Sequence, residues 1–415
     1  MKRVLMVAYH FPPLAGSSGI QRTLRFVQEL PTLGWQPLVL SADPRAYERS
    51  NDDLMADIPS GTVVERAFAL DASRHLSIKG RHLGITARPD RWMSWKFAAV
   101  RHGMRLIRQF APQAIWSTYP IATAHLIGAG LHRRTGLPWL ADFRDPMAQD
   151  GYPPDPKVWQ SFKDIELCVM REAAYGIFTT PSAMHMYAQR YPHATDRLRV
   201  IENGYDETSF AAVEAEGRPP MPLNPGAVTL LHSGIVYPSE RDPTQLFAAL
   251  GQLARHGTLV PGSFKLRFRA AVHEDLLQSL TAVHGLEAFV ECCPPVGYRE
   301  ALREMMAADG LLVMQAANCN EQIPAKVYEY LRARRPIVGL TDPAGDTETV
   351  LRAAGVDTFA RIDSSTDIAR MLPTWLASAR AGNATLPAAS AVQQASRGGR
   401  ALQLAQLLDA AARAR

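Results

Sequence analysis

Glu321-Gln-Ile-Pro-Ala-Lys-Val-Tyr-Glu329 separates two apolar runs, Gly310-Leu-Leu-Val-Met-Gln315 and Pro336-Ile-Val-Gly-Leu340, and its reading decides the fold. Runs this short and apolar read as strands buried on both faces of a parallel sheet. Between them lies a loop and then a helix, expected to open at Pro324, where a fixed φ is tolerated at the first helical position. In open α/β sheets, ligands bind outside the carboxyl ends of the strands, which is where this loop falls. The free amides of Ala325, Lys326 and Val327, with the helix dipole, suit a diphosphate. Lys326 adds a full charge, Glu329 is spaced to accept hydrogen bonds from both ribose hydroxyls, and Glu321 faces a sugar beyond the phosphates. A carboxylate pair at this spacing is also common in helices as solvated side chains, which is the bland reading of Glu321 and Glu329.

Length and composition set the frame. The chain has 415 residues, 47% hydrophobic and 20% charged, which predicts two globular domains rather than one. Apolar runs fall short of the ~20 residues that cross a membrane, so a cytoplasmic protein is expected. Cys168, Cys292, Cys293 and Cys319 lack C-x-x-C spacing, which argues against zinc and disulfides. H-E-x-x-H, Walker A and D-x-D patterns are missing from the sequence.

Strand-like runs alternate with helical patterns throughout. Strands are predicted near 3–9, 37–41, 62–65, 114–118, 138–142, 176–180 and 198–201. A second set is predicted near 227–234, 264–271, 288–292, 310–314 and 336–340. The expected division is 1–210 for the first domain, 211–226 for a Pro-rich linker, 227–390 for the second domain and 391–415 for a terminal helix.

Several segments carry a family resemblance. Glu321 to Glu329 resembles the E-x7-E motif of the retaining family 4 glycosyltransferases. The opening strand Arg3–Tyr9, followed by His10-Phe-Pro-Pro13 and Gly16-Ser-Ser-Gly19, is similar to that family's glycine-rich start. Ile115-Trp-Ser-Thr-Tyr-Pro120, Trp139-Leu-Ala-Asp-Phe-Arg-Asp-Pro146 and Val200-Ile-Glu-Asn-Gly-Tyr-Asp206 follow in the family's order.

The resemblance implies the GT-B fold: two Rossmann-like parallel-sheet domains facing a cleft, with the last helix returning to the first domain. It implies a retaining transfer of a sugar from a UDP- or GDP-sugar to a glycan or lipid-linked acceptor in polysaccharide or glycoconjugate biosynthesis, with no metal and no cofactor. The polysaccharide-assembly members share the "DFRDP" sequence. The implied catalytic group is Glu321, Arg241, Lys326 and Asp145. Donor contacts are implied for Gly16, Gly19, Gly234, Tyr298, Pro324, Ala325, Val327 and Glu329, with Tyr298 stacking on the nucleobase. Ser17, Ser18, Thr118 and Arg144 fall on the acceptor side.

The chain departs from the family in two places. Ile235 stands where an Arg is expected, leaving Arg241 near the usual Lys position, and Arg144 or Asp145 occupies the place of a histidine. Asp142, Arg144 and Asp145 are also compatible with a structural ion-pair network. A sugar-nucleotide epimerase of the same fold and a catalytically silent sugar-nucleotide binder are the competing expectations.

Charge suggests a further partner. Between Arg74 and Phe110 nine cations, at 74, 79, 81, 88, 91, 96, 101, 105 and 108, face one acid, Asp90, a local net of +8 against +5 for the chain. Trp92, Trp95, Phe97, Met104, Leu106 and Ile107 are interleaved with them. This composition suits an anionic membrane surface at the inner face of the plasma membrane. Nucleic acid is not expected, because no recognisable nucleic-acid module accompanies the segment. A solvated helix face is the plain alternative.

Overall fold

The computed structural model describes residues 1–15, 19–75, 87–217 and 221–414. Gly16, Ser17 and Ser18, expected at the donor and acceptor sites, lie outside these residues, as do Lys79 and Arg81 of the basic segment. The chain divides into two compact units, Met1–Asn203 with Arg397–Arg415, and Gly204–Ser396.

The first unit holds a parallel sheet of seven strands: β1 (Lys2–Val7), β2 (Trp35–Ala42), β3 (Val63–Ala67), β4 (Ala114–Thr118), β5 (Trp139–Arg144), β6 (Tyr175–Phe178) and β7 (Leu198–Val200). Their order is β3-β2-β1-β4-β5-β6-β7. Both faces are covered, so neighbouring residues of β1 serve different cores. Leu5 and Val7 pack into one, while Val4 and Met6 pack into the other. That double burial is why the strand reads as an unbroken apolar run. The last helix, Arg397–Arg413, adds Ala401, Leu404, Leu408 and Ala411 to the second of these cores, beside Trp35 and Trp116. The Trp35 indole N–H donates to Asp409 at 2.8 Å. The terminal helix thus belongs to the N-terminal unit.

The second unit repeats the plan with six strands: β8 (Val228–Ser233), β9 (Phe264–Arg269), β10 (Val290–Cys293), β11 (Gly310–Met314), β12 (Ile337–Thr341) and β13 (Thr358–Arg361). The order β10-β9-β8-β11-β12-β13 is again parallel, with Leu230 and Leu312 in one core and Leu231 and Val313 in the other. In both sheets the strand order reverses beside the first strand of the unit, between β1 and β4 and between β8 and β11. Such reversals open a crevice at the carboxyl ends of the strands. The architecture is the GT-B type, two Rossmann-like sheets with the terminal helix on the first.

The expected strands all have counterparts, and β13 adds one that was not expected. A helix, Glu207–Glu214, runs into the stretch expected as linker. Arg332 holds it with paired hydrogen bonds to Glu207 and Glu214 at 2.6 to 2.9 Å.

Candidate functional site

In the second unit the reversal point is built from the loops after β8 and β11. β8 ends at Ser233, and Gly234 turns the chain with φ of 112°, a region that penalises any residue with a Cβ. A Cβ there would lie 3.1 Å from Lys326 Nζ. Glycine therefore lets the lysine approach the backbone.

The helix after β11 spans Lys326–Ala333, starting two residues later than the sequence predicts. The Val327 amide donates to Pro324 O at 3.0 Å and the Tyr328 amide to Ala325 O at 3.2 Å, a tight opening turn. Val327 thus has its amide engaged, contrary to expectation, and Ala325 and Lys326 head the helix. The loop before it is tied down on both sides of Glu321. Asp346 donates its amide to Asn320 O at 2.8 Å, and the Thr347 hydroxyl donates to Gln322 O at 3.0 Å. Glu321 sits half-buried between these anchors.

Lys326 is oriented by a residue that sequence reasoning missed. His232, fully buried on β8, donates from Nδ1 to Leu312 O at 3.0 Å, which leaves Nε2 to accept from Lys326 Nζ at 3.0 Å. Burial and then the adjacent Lys326 charge hold the imidazole well below its ordinary pKa, so it stays neutral and accepts. A histidine inside an apolar strand carries no spacing signal, and only the contact reveals it.

Burial, and next the Arg241 guanidinium, push Lys326 down to about 7, against the pull of Glu329. Arg241 donates to Ile235 O at 3.0 Å and lies 5.1 Å from the Tyr237 ring centroid, while its Nε is buried without a partner. The backbone of Ile235 thus steers Arg241, although the Ile235 side chain supplies no charge. Neither cation makes an ion pair with a carboxylate among the described residues. Two positive groups converging without counter-ions favour an incoming anion. One turn along, Glu329 accepts from the Tyr298 hydroxyl at 2.8 Å, and the Tyr298 ring is 47% exposed. The structure therefore joins Gly234, Arg241, Lys326, Tyr298 and Glu329 in one unit.

In the first unit, β5 carries an irregularity between Asp142 and Arg144. Asp142, completely buried, accepts two bonds from Arg22 at 2.9 and 3.0 Å and one from the Thr118 hydroxyl at 3.1 Å. Asp142 is held inside the sheet by these bonds, and Thr118, turned toward it, is 4% exposed. Arg144 adopts φ of 62° and stays out of that pair, so the expected three-residue ion network does not form. Asp145 reaches solvent, yet the crowding protein raises its carboxyl above the ordinary value. Beyond β5, the loop through Met147 and Ala148 hangs on a buried cluster. Glu166 accepts from the Ala148 amide at 2.8 Å, from Tyr191 at 2.6 Å, from Arg190 and from Tyr187, and the Tyr187 hydroxyl accepts from the Met147 amide at 2.9 Å.

The basic segment is less aromatic at its surface than its sequence suggests. Trp95 and Leu106 are core residues of the helix Trp95–Phe110, and Trp92 tilts against Tyr9. Arg91 pairs with Glu48 and Asp71, and Arg105 with Glu65. Phe97, 72% exposed, shares an outer face with exposed Arg101, Arg105 and Arg108. Among the described residues no group of three or more His, Cys, Asp or Glu is placed to hold a metal, and no helix is long and apolar enough to cross a membrane.

No protein-family model and no curated protein matches the chain. Solved structures do. HepE from Anabaena in complex with UDP superposes with a TM-score of 0.65 at 15% identity, covering 99% of this chain and 100% of that one. Sucrose-phosphate synthase from Thermosynechococcus elongatus gives 0.57 at 13% identity, covering 100% and 97%. The alpha,alpha-trehalose 6-phosphate synthase of Burkholderia multivorans gives 0.60 at 14% identity, covering 100% and 98%. At these identities the likeness establishes the shared fold.

Proposed function

We propose that this chain is a retaining, family 4-like glycosyltransferase that moves a sugar from a UDP- or GDP-sugar to a glycan or lipid-linked acceptor in polysaccharide or glycoconjugate assembly. The observation that carries the proposal is that Lys326 lies against Gly234 while Arg241 bonds the carbonyl of the next residue, Ile235, and neither makes an ion pair with a carboxylate among the described residues. In this reading the two cations and the head of the helix Lys326–Ala333 hold the donor diphosphate, next to Pro324, Ala325 and Val327. Glu329 receives the ribose hydroxyls, and Tyr298, hydrogen-bonded to it, lies under the adjoining base. Glu321 contacts the transferred sugar. Gly16 and Gly19 approach the donor, while Ser17, Ser18, Thr118, Arg144 and Asp145 serve the acceptor side, Thr118 through Asp142.

Departure of a nucleoside diphosphate leaves negative charge that Lys326 and Arg241 are placed to stabilise, without a metal or cofactor in this proposal. The acceptor hydroxyl attacks on the face that the diphosphate leaves, and a phosphate oxygen takes its proton. HepE has been solved with UDP-glucose as well as UDP, which supports beginning with uridine donors.

Incubation with a panel of UDP- and GDP-sugars tests the assignment. Slow release of nucleoside diphosphate is expected with one donor class. Proton exchange at C2 would instead indicate an epimerase, and a thermal shift with no turnover would indicate a silent binder.

The face formed by Phe97, Arg101, Arg105 and Arg108 is proposed to rest on an anionic membrane surface on the cytoplasmic side, where a lipid-linked acceptor would be presented. Each cation near such a surface contributes about 1 kcal/mol. In liposome flotation, phosphatidylglycerol vesicles should recover the chain, and the Arg101→Glu/Arg108→Glu double variant should recover at least tenfold less. Equal recovery on vesicles without anionic lipid would remove the proposal.

A further inference from the structure

The helix Lys326–Ala333 grips the end of β8 in two places one turn apart. Buried Tyr330 accepts the Ser233 amide on its hydroxyl at 2.8 Å, and Lys326, on the same helix face, donates from Nζ to His232 Nε2 at 3.0 Å. The two contacts differ in kind. The Tyr330 bond goes to backbone and fixes where the helix docks, independently of the side chain at 232. The His232 bond goes to the tip of a long, flexible side chain and fixes where the ammonium lies.

His232 is completely buried and tilts against Phe268 of β9, with ring centroids 6.0 Å apart. Its Nδ1 is engaged by Leu312 O at 3.0 Å. A carbonyl only accepts, so this bond keeps the ring proton on Nδ1 and leaves Nε2 a bare acceptor. Among the described residues, Nε2 is the one hydrogen-bond acceptor of Lys326 Nζ, since the Ile235 carbonyl on the same turn is taken by Arg241. Two groups act on Lys326 by charge: Arg241, from the loop after β8, opposes the ammonium, and Glu329, on its own helix, favours it. Arg241 and Lys326 are the charges that face His232. Burial and then Arg241 bring Lys326 down to about 7, so at neutral pH one hydrogen bond to the charged form decides how much of it is present.

We propose that His232 is the positioning residue that fixes the Lys326 ammonium against the turn at Gly234 and keeps it in the charged form that a nucleotide diphosphate meets. The role rests on the transferase reading for what the ammonium meets, and on the contacts alone for how it is held.

Three measurements on the full chain test it. In the nucleotide-free protein the Lys326 Hε/Cε correlation, identified by its loss in Lys326→Arg, gives the titration midpoint of the amine. His232→Leu removes the acceptor and leaves the Tyr330 brace, and the midpoint is expected to fall by about one unit, the worth of a hydrogen bond to a charged group. His232→Gln, whose amide oxygen takes the place of Nε2, is expected to recover most of that fall. A midpoint in folded His232→Leu that moves by less than about 0.3 unit overturns the proposal.

UDP affinity is the second readout. His232→Leu should bind UDP roughly tenfold more weakly at pH 7.5 and only about twofold more weakly at pH 6, where the ammonium forms in either protein, and His232→Gln should close most of the gap. A deficit of the same size at both pH values marks a general disturbance of the fold and overturns the proposal.

The imidazole of the unaltered chain gives a third readout, free of any variant. Its nitrogen NMR shifts should show a proton on Nδ1 and a bare Nε2 that follows the Lys326 titration. A proton on Nε2 overturns the proposal even where His232→Leu does not fold. If the unaltered chain binds neither UDP nor GDP, the transferase reading fails, while the lysine titration still decides the role of His232.

Discussion

Lys326→Gln should weaken UDP binding by roughly 10- to 100-fold, the worth of a charged hydrogen bond to phosphate. The unaltered chain should show a pH dependence that the variant lacks. Burial and then Arg241 oppose the charge on Lys326 and bring it down to about 7. A bound diphosphate favours the ammonium and raises that pKa. Below pH 7 the ammonium is already formed, and affinity should be flat until the phosphate itself begins to protonate. Above pH 7 the charged fraction of the free protein falls up to tenfold per unit, and affinity should fall with it until the pKa of the bound state is reached. Lys326→Arg, which stays charged, should keep most of the affinity and lose the slope. Calorimetric titrations between pH 6.5 and 9 decide the matter. A Lys326→Gln protein within threefold of the original, or one retaining the slope, would place the diphosphate elsewhere.

Glu166→Ala should cost the first unit about 3–5 kcal/mol, the usual penalty for removing one partner of a buried ion pair. Glu166 is fully buried and is the acceptor for Arg190, Tyr187, Tyr191 and the Ala148 amide. Its loss strands a guanidinium, two phenols and a backbone donor together. For a unit of this size the melting transition should fall by about 10 °C, measurable by scanning calorimetry. Glu166→Gln keeps an acceptor and should lose less. Because Glu166 also fixes the loop that follows Arg144 and Asp145, the acceptor-side role proposed for those residues should weaken in the alanine variant before global unfolding begins. A transition lowered by less than 2 °C would show that the cluster is not what anchors the loop.

Most of this architecture could be read from the chain because doubly covered strands must be apolar throughout, as Val4–Val7 and Leu311–Met314 are. β13 escaped for the opposite reason. Thr358-Phe-Ala-Arg361 is four residues at a sheet edge, partly exposed, and lacks a sustained pattern. The spacing of Lys326 and Glu329 was visible because one helix carries both. Residues that meet through the fold were not. His232 and Lys326 stand 94 positions apart, and Arg22 and Asp142 stand 120 apart. Charge counting found the basic segment but could not tell that Trp95 points inward and Phe97 outward, since only the packing of the helix assigns its faces.

The second unit begins at Gly204 and ends at Ser396, and its two ends are stitched by the Tyr205 amide on Ala395 O at 3.2 Å. The flanking ends of the first unit also meet, where Arg400 bonds Asn203 O at 3.2 Å. One half is therefore spliced into the other as a cassette. A short graft from Asn203 to Arg397 would close the host, and a stop codon before Arg397 would strip an inner wall from the N-terminal half while sparing the half it appears to shorten.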